Sequence, residues 1–327
     1  EWTEHTLGDI SEFSKERLNS KELSCDNYVA TENMLQDYQG IVTASNIPSN
    51  TNVIKFSKGD VLLSNIRPYL KKVWYADRDG GCSADVFVFK ALAVCDTDFL
   101  HYIIANDRFI NFTMSGAKGV KMPRGDKEQM KTYKIGLPSK EEQRKIANLL
   151  RLLDVRIATQ SKVINRLQSL IKGIANKSFH VARETKPLLE FAPNITSGND
   201  KNGSGTIPLY GSTGIIGMVK NASQKGNIVL VARVGTIGTV QFVNEPCGVS
   251  DNALIIEAGD MTKYIYYFLK TYNFARITSG TTQPLITASS LKKIAIPIFD
   301  IERSSNIVRC LSGLEKKLNI EKRYLLD

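Results

Sequence analysis

Long apolar runs are missing from this chain. Of its 327 residues 42% are hydrophobic, yet no stretch approaches the ~18 residues of a membrane-spanning helix. The five cysteines, Cys25, Cys82, Cys95, Cys247 and Cys310, are scattered, and no two have CxxC spacing. Neither a disulfide framework nor a zinc site is supported. The three histidines, His5, His101 and His180, lie too far apart in sequence to suggest a metal or general-base cluster. There is no GxxxxGK[ST] loop, and Gly203-Ser204-Gly205-Thr206-Ile207-Pro208 fails GxGxxG at its last position. An Asn-Pro-Pro-aromatic stretch, which an adenine methyltransferase needs to hold its flipped base, does not occur. These absences favour a binding protein over an enzyme. No basic-then-apolar leader stands at the given start, so a reduced cytoplasm is the expected compartment.

What the chain has is itself, twice. Gly59-Asp60-Val61-Leu62-Leu63 recurs as Gly226-Asn227-Ile228-Val229-Leu230. Cys82-Ser83-Ala84-Asp85 recurs, one residue longer, as Cys247-Gly248-Val249-Ser250-Asp251. Ser115-Gly116 returns as Ser279-Gly280, and Gly136-Leu137-Pro138 as Ala295-Ile296-Pro297. So long a period is a duplicated domain and not a solenoid. Each copy is a globular part followed by a long helix. The segments are 1–138 and 180–298 for the globular parts, 139–179 and 299–327 for the helices.

The helices carry the clearest pattern. Ile146, Leu150, Leu153, Ile157, Gln160, Ile164, Leu167, Ile171 and Ile174 follow 4-3 spacing, as do Ile307, Leu311, Leu314, Leu318, Glu321 and Leu325. That spacing is the seam of a left-handed coiled coil. Its single polar break falls at the same place in both, Gln160 and Glu321. Ser139, with Glu142 three residues on, reads as a capping box opening a first helix of about 58 Å at 1.5 Å per residue. The formal charge of +10 gathers here: residues 139–179 hold nine basic and three acidic residues. A basic balance suits a polyanionic partner.

The globular parts read as mixed α/β, so the fold class is α+β. Strands are expected at 60–64, 73–75 and 86–89, and again at 228–232, 239–243 and 253–256. Aromatic-rich helices are expected at 99–112 and 262–275. The Tyr264, Tyr266 and Tyr267 cluster reads as core and not as a base-stacking platform.

Leu137-Pro138-Ser139-Lys140-Glu141-Glu142-Gln143-Arg144-Lys145-Ile146-Ala147-Asn148-Leu149-Leu150, with Asp154 following, resembles the conserved spacer of type I restriction-modification specificity subunits. Trp2-Thr3-Glu4-His5-Thr6-Leu7-Gly8-Asp9-Ile10 is similar to the start of that family's target recognition domain. Ser279-Gly280-Thr281-Thr282-Gln283-Pro284-Leu285-Ile286, ending in Ile294-Ala295-Ile296-Pro297, is similar to the segment that closes one. The second spacer departs from the pattern, because Ile301-Glu302-Arg303-Ser304-Ser305-Asn306-Ile307 lacks the Glu-Gln pair.

The resemblance implies two target recognition domains on an antiparallel coiled coil, each reading one half of a bipartite site in double-stranded DNA. It implies no catalysis in the chain itself. Two modification (methyltransferase) subunits would bring S-adenosylmethionine, and restriction subunits would use ATP and Mg.

Base and phosphate readers are Arg, Lys, Asn, Gln and Ser/Thr on loops at strand ends. In the first copy these are Ser64, Asn65, Arg67, Tyr69, Lys71 and Lys72, with Lys118, Lys121 and Arg124 in the loop before the closing segment. In the second they are Ser212, Thr213, Arg233, Thr281, Thr282 and Gln283, with Arg67 and Arg233 at nearly equivalent points. Two other classes stay open: a coiled-coil scaffold that does not read DNA, and a catalytic DNA methyltransferase or nuclease.

Overall fold

The computed structural model describes residues 2–280 and 284–326, and the chain divides into two compact units, Glu1–Arg156 and Ile157–Asp327. The first unit is built on a four-stranded antiparallel sheet in the order Ser11–Phe13, Val86–Ala91, Val61–Ser64, Val73–Tyr75. The middle strand Val61–Ser64 is buried throughout, so it is a continuous apolar run without alternation. Its two faces serve two cores. Val61 and Leu63 pack with Val73, Phe87 and Phe89 against the helices Thr97–Ile104 and Asp107–Ser115. Leu62 packs with Phe56, Trp74, Val86 and Val88 on the opposite face. That second core belongs to a further sheet, Arg17–Asn19, Asn52–Phe56, Gly80–Cys82, Tyr28–Val29, whose last pair is parallel.

The second unit repeats the plan. Its main sheet runs Thr196–Ser197, Ala253–Ile256, Ile228–Ala232, Val240–Val243. Its smaller sheet runs Ile215–Val219, Ile207–Tyr210, Gly248–Val249, again with a parallel last pair. In each unit a two-stranded ribbon joins the start to the closing strand: Thr3–Thr6 with Lys134–Leu137, and Glu184–Pro187 with Ala295–Ile298. Gly59 and Gly226, at φ +93° and +98°, make the turns into the two middle strands, a conformation open mainly to glycine.

The long aromatic helices expected at 99–112 and 262–275 are each broken. In the first, the Asn106 side chain accepts from the Arg108 N–H at 2.8 Å and starts a new helix, as an N-cap asparagine does. In the second, the helix Thr262–Leu269 ends and Asn273 caps the short turn Phe274–Arg276. Tyr264, Tyr266 and Tyr267 are buried, as core residues.

The spacer helices are Lys140–His180 and Ile301–Leu326. The Glu142 N–H donates to Ser139 Oγ at 3.3 Å, while the Glu142 carboxylate accepts from Trp2 Nε1 at 3.2 Å in place of the expected reciprocal cap. Gln143 is 1% exposed. Its Oε1 accepts from Asp96 N–H at 2.8 Å, and its Nε2 donates to the carbonyls of Val94 and Pro138. A buried amide satisfied at both ends fixes the helix start on the first unit, since leaving any of these groups unpaired is costly.

The two copies also share a tether. Tyr102 Oη donates to Asp154 at 2.7 Å, and 165 and 161 residues later, respectively, Tyr267 Oη donates to Glu315 at 2.9 Å. Around Glu315 the second copy adds Tyr266 Oη at 2.7 Å and Lys270 Nζ at 3.1 Å.

Within the second unit Ile164, Leu167 and Ile171 share one core with Ile307, Leu311 and Leu318, with Ile174 and Leu314 packed against it. The two helices run antiparallel there: residue 160 is beside 321, and the residues that follow 160 share their core with the residues that precede 321. Ile146 and Leu150 are half-buried in the first unit. Leu153, Ile157 and Leu325 stand 47%, 54% and 40% exposed.

Candidate nucleic-acid interface

Where the middle strand of the first unit ends at Ser64, the chain leaves the sheet and must turn tightly. Arg67 and Lys71 both take left-handed backbone, φ +51° and +53°, which is uncommon for residues with a Cβ and is found where surroundings impose it. Ser64 Oγ donates to the Ile66 carbonyl at 3.0 Å and closes the first bend.

The loop before the closing strand is a small hairpin. Lys118 and Arg124 exchange backbone hydrogen bonds at 2.9 Å, leaving Val120, Lys121 and Met122 at an exposed tip. The two patches, fifty residues apart in sequence, meet. The Arg67 N–H donates to the Pro123 carbonyl at 2.8 Å, and the Gly125 N–H to the Asn65 carbonyl at 3.3 Å. Asn65, Arg67, Tyr69, Lys71, Lys72, Lys118, Lys121 and Arg124 therefore lie on one loop cluster, whereas Ser64, expected there, is the 1% exposed end of the strand with its hydroxyl taken up by the Ile66 carbonyl.

Its charges are partly paired, which the sequence did not show. Lys71 meets Asp107 at 2.8 Å, Lys118 meets Asp126 at 2.7 Å, and Arg124 meets Asp85 at 3.3 Å. The Lys71 ammonium, then the Tyr38 hydroxyl, hold the Asp107 carboxyl below its usual range. Lys118 does the same for Asp126 and is itself raised by it. Lys72 Nζ donates to the Thr31 carbonyl at 2.6 Å. Lys121 and Arg67 make no ion pair among the described residues. Asp126 could have been anticipated: it begins the helix Lys127–Lys131, and its carboxylate accepts from the Glu128 and Gln129 N–H groups. Asp85 and Asp107 carry no such signal, because they reach the loops from other elements.

The second unit assembles the same parts. After Ala232 the loop passes through Arg233 and turns at Gly235 and Gly238, φ +71° and +78°. Thr236 Oγ1 donates to the Ser212 carbonyl at 3.4 Å, and Gln241 Nε2 to the Gly211 carbonyl at 2.9 Å, so the turn holding Ser212 and Thr213 joins this loop. Ser279 and Leu285 exchange backbone bonds at 3.0 and 2.8 Å, and the Ile286 N–H donates to the Arg233 carbonyl at 3.1 Å. Thr281, Thr282 and Gln283 lie outside the described residues.

The registers correct two sequence alignments. Val86 faces Ser64 and Ala253 faces Ala232, so Ser64 corresponds to Ala232 and the residue after each is Asn65 and Arg233. Arg233 therefore matches Asn65 and not Arg67. The Ser83 N–H donates to Val29 O and the Ser250 N–H to Tyr210 O, both at 2.9 Å. Ser83 thus matches Ser250, Cys82 matches Val249, and Asp85 matches Asn252, with no inserted residue. Identical letters had pulled Cys82 onto Cys247. The strands are fixed instead by which residues face each core. All five cysteines are free thiols, and burial pushes Cys82 up to about 12. Among the described residues no three His, Cys, Asp or Glu side chains are grouped to hold a metal ion, and no helix is long and apolar enough to cross a membrane.

Solved structures share this architecture. The type I restriction-modification S subunit of M. genitalium superposes with a TM-score of 0.75, covering 99% of this chain and 92% of that one at 18% identity. A structure described under complex assembly and conformational transition of the type I R-M system superposes at 0.57, covering 99% and 93% at 19% identity. In sequence, the type I restriction enzyme EcoDI specificity subunit of Escherichia coli is 28% identical over 129 residues, 38% of this chain and 29% of that protein. The EcoprrI specificity subunit, also from Escherichia coli, is 25% identical over 122 residues, 36% of this chain and 30% of that protein. The matched part thus spans about a third of the length of these curated relatives. The family described as type I restriction modification DNA specificity domain matches residues 1–169 and 184–326. With both copies matched, the chain belongs to the type I restriction modification DNA specificity domain family.

Proposed function

We propose that this chain is the sequence-reading subunit of a type I restriction-modification complex. Each loop cluster reads one half of a bipartite site in double-stranded DNA. The observation that carries this is the double occurrence of one construction: a strand-end loop stitched by backbone bonds to a closing hairpin, at Asn65–Gly125 and at Arg233–Ile286. The scaffold of the two copies is held while the side chains offered on the loops differ, which is what reading two different half-sites demands. Arg67 and Lys121, without an ion pair among the described residues, and Lys71, Lys118 and Arg124, each paired with one surface carboxylate, suit phosphate and base contacts.

Methyl transfer and cleavage belong to partners. Modification subunits carry S-adenosylmethionine, and restriction subunits use ATP and Mg. The first spacer helix exposes Leu149, Leu152, Leu153, Val155 and Ile157. A contiguous exposed apolar stretch of this kind is unusual on a protein that works alone, and it supports a partner helix from a modification subunit. The test is a gel shift of the chain with its modification subunits on genomic fragments, followed by base-resolution methylation mapping. A bipartite methylated motif supports the reading. Methylation by the purified chain alone would show a catalytic enzyme, and absence of any salt-sensitive DNA binding would show a scaffold.

A further inference from the structure

Asn65 and Arg233 occupy one position in the two copies, fixed by four backbone contacts and not by alignment of letters. The Asn65 N–H donates to Asp85 O at 2.8 Å, and the Arg233 N–H to Asn252 O at 3.0 Å. Their carbonyls accept from Gly125 at 3.3 Å and Ile286 at 3.1 Å. Each therefore sits between the end of the buried middle strand and the exit of the closing hairpin. Both side chains are half-buried, and among the described residues each has a buried polar atom without a partner: Asn65 Oδ1 and Arg233 Nε. Native proteins satisfy nearly all such atoms, and of the six found among the described residues three lie in these loops: Asn65 Oδ1 and Arg233 Nε at the same point of the duplicated fold, and Arg67 Nε two residues after Asn65. A side chain whose polar atom is unmet in the free protein gives up no hydrogen bond there when it swings out to a ligand.

The chemistry of the two residues then says which ligand. An Asn amide offers one acceptor and one donor, which match N6 and N7 of adenine in the major groove. An Arg guanidinium offers two parallel donors, which match O6 and N7 of guanine. We infer that this shared position is a specificity switch of the two loop clusters, Asn65 selecting an A·T pair in one half-site and Arg233 a G·C pair in the other. The inference rests on the proposed reading of bipartite DNA.

The experiment exchanges the pair. The full chain, assembled with its modification subunits, methylates a duplex library randomised across both half-sites, and the methylated molecules are sequenced. Asn65→Arg is expected to turn one adenine preference into guanine in one half-site and leave the other half unchanged. Arg233→Asn is expected to turn one guanine preference into adenine in the opposite half. Asn65→Ala and Arg233→Ala remove only atoms beyond Cβ. They are expected to lower the preference at the same two positions by about 5- to 150-fold, the range for one bidentate contact. The alanine pair carries the test if an exchanged side chain disturbs folding. A wild-type chain that selects a bipartite site, with exchange and alanine variants that keep its bases, overturns the inference alone. A wild-type chain that selects no sequence overturns the reading beneath it.

Discussion

Gln160 Nε2 donates to the Glu321 carboxylate at 2.6 Å and to the Glu321 carbonyl at 2.8 Å. These are the two polar breaks of the two seams, 161 residues apart, and they are each other's counterparts. Both lie in the second unit, where the polar position of one seam meets its own counterpart in the other. The polar pair thus fixes register, as a lone polar seam residue does in coiled coils. Gln160→Leu should strip both bonds and leave the Glu321 carboxylate facing an apolar neighbour, costing about 1–3 kcal/mol. Thermal unfolding of the full chain checks this, and an unchanged melting temperature would remove the pair's role.

Leu311 is 0% exposed and Leu153 is 47% exposed. Equal seam spacing therefore hides unequal energetics. Leu311→Ala should destabilise the chain by about 2–5 kcal/mol, the usual range for a buried leucine. Leu153→Ala should stay within about 0.5 kcal/mol in the isolated chain. It should weaken capture of the modification subunit, measured by titration of one protein into the other. A Leu153 variant as unstable as the Leu311 variant would contradict this assignment.

Burial alone would raise the Glu315 carboxyl, but Tyr266, Lys270 and Tyr267 more than offset it, and the net shift is downward from 4.5. A carboxyl lowered in the folded state gives stability that is present above its unfolded value and lost as pH falls through the folded value. Glu315→Gln should therefore be less stable than the parent at neutral pH, with the gap closing below about 4.5, the unfolded reference. Denaturant titrations from pH 7 to pH 3 measure it, and a gap independent of pH would assign the effect to packing.

Lys121 stands at the hairpin tip, exposed and without an ion pair among the described residues. Lys121→Ala should weaken DNA binding for all sequences alike and reduce the steepness of log K against log salt by about 0.9. A loss confined to one sequence would make Lys121 a base reader.

The scaffold was legible in the sequence, and the site only partly. The strands around Leu62 and Leu230 showed because buried runs between turn residues leave a plain signal. The seams showed because one face of a helix must stay apolar for many turns. The burial of Leu311 against the exposure of Leu153 did not show, since spacing names a face and not what covers it. The loops failed differently. Arg67 and Arg233 look equivalent in one dimension, but a loop's register is set by backbone bonds to distant residues such as Pro123, Asp85 and Ile286. The partners of Lys71 and Arg124, Asp107 and Asp85, arrive from separate elements, and no local pattern encodes that.

Base-resolution methylation mapping in a cell carrying this chain with its modification subunits tests the central claim most directly, comparing the wild type with Arg67→Ala. The account predicts a two-part motif for the wild type, and for the variant a relaxed base in one part by about 1–3 kcal/mol of discrimination, with the other part intact. A wild type without a two-part motif, or an Arg67 variant that changes both parts together, would contradict it.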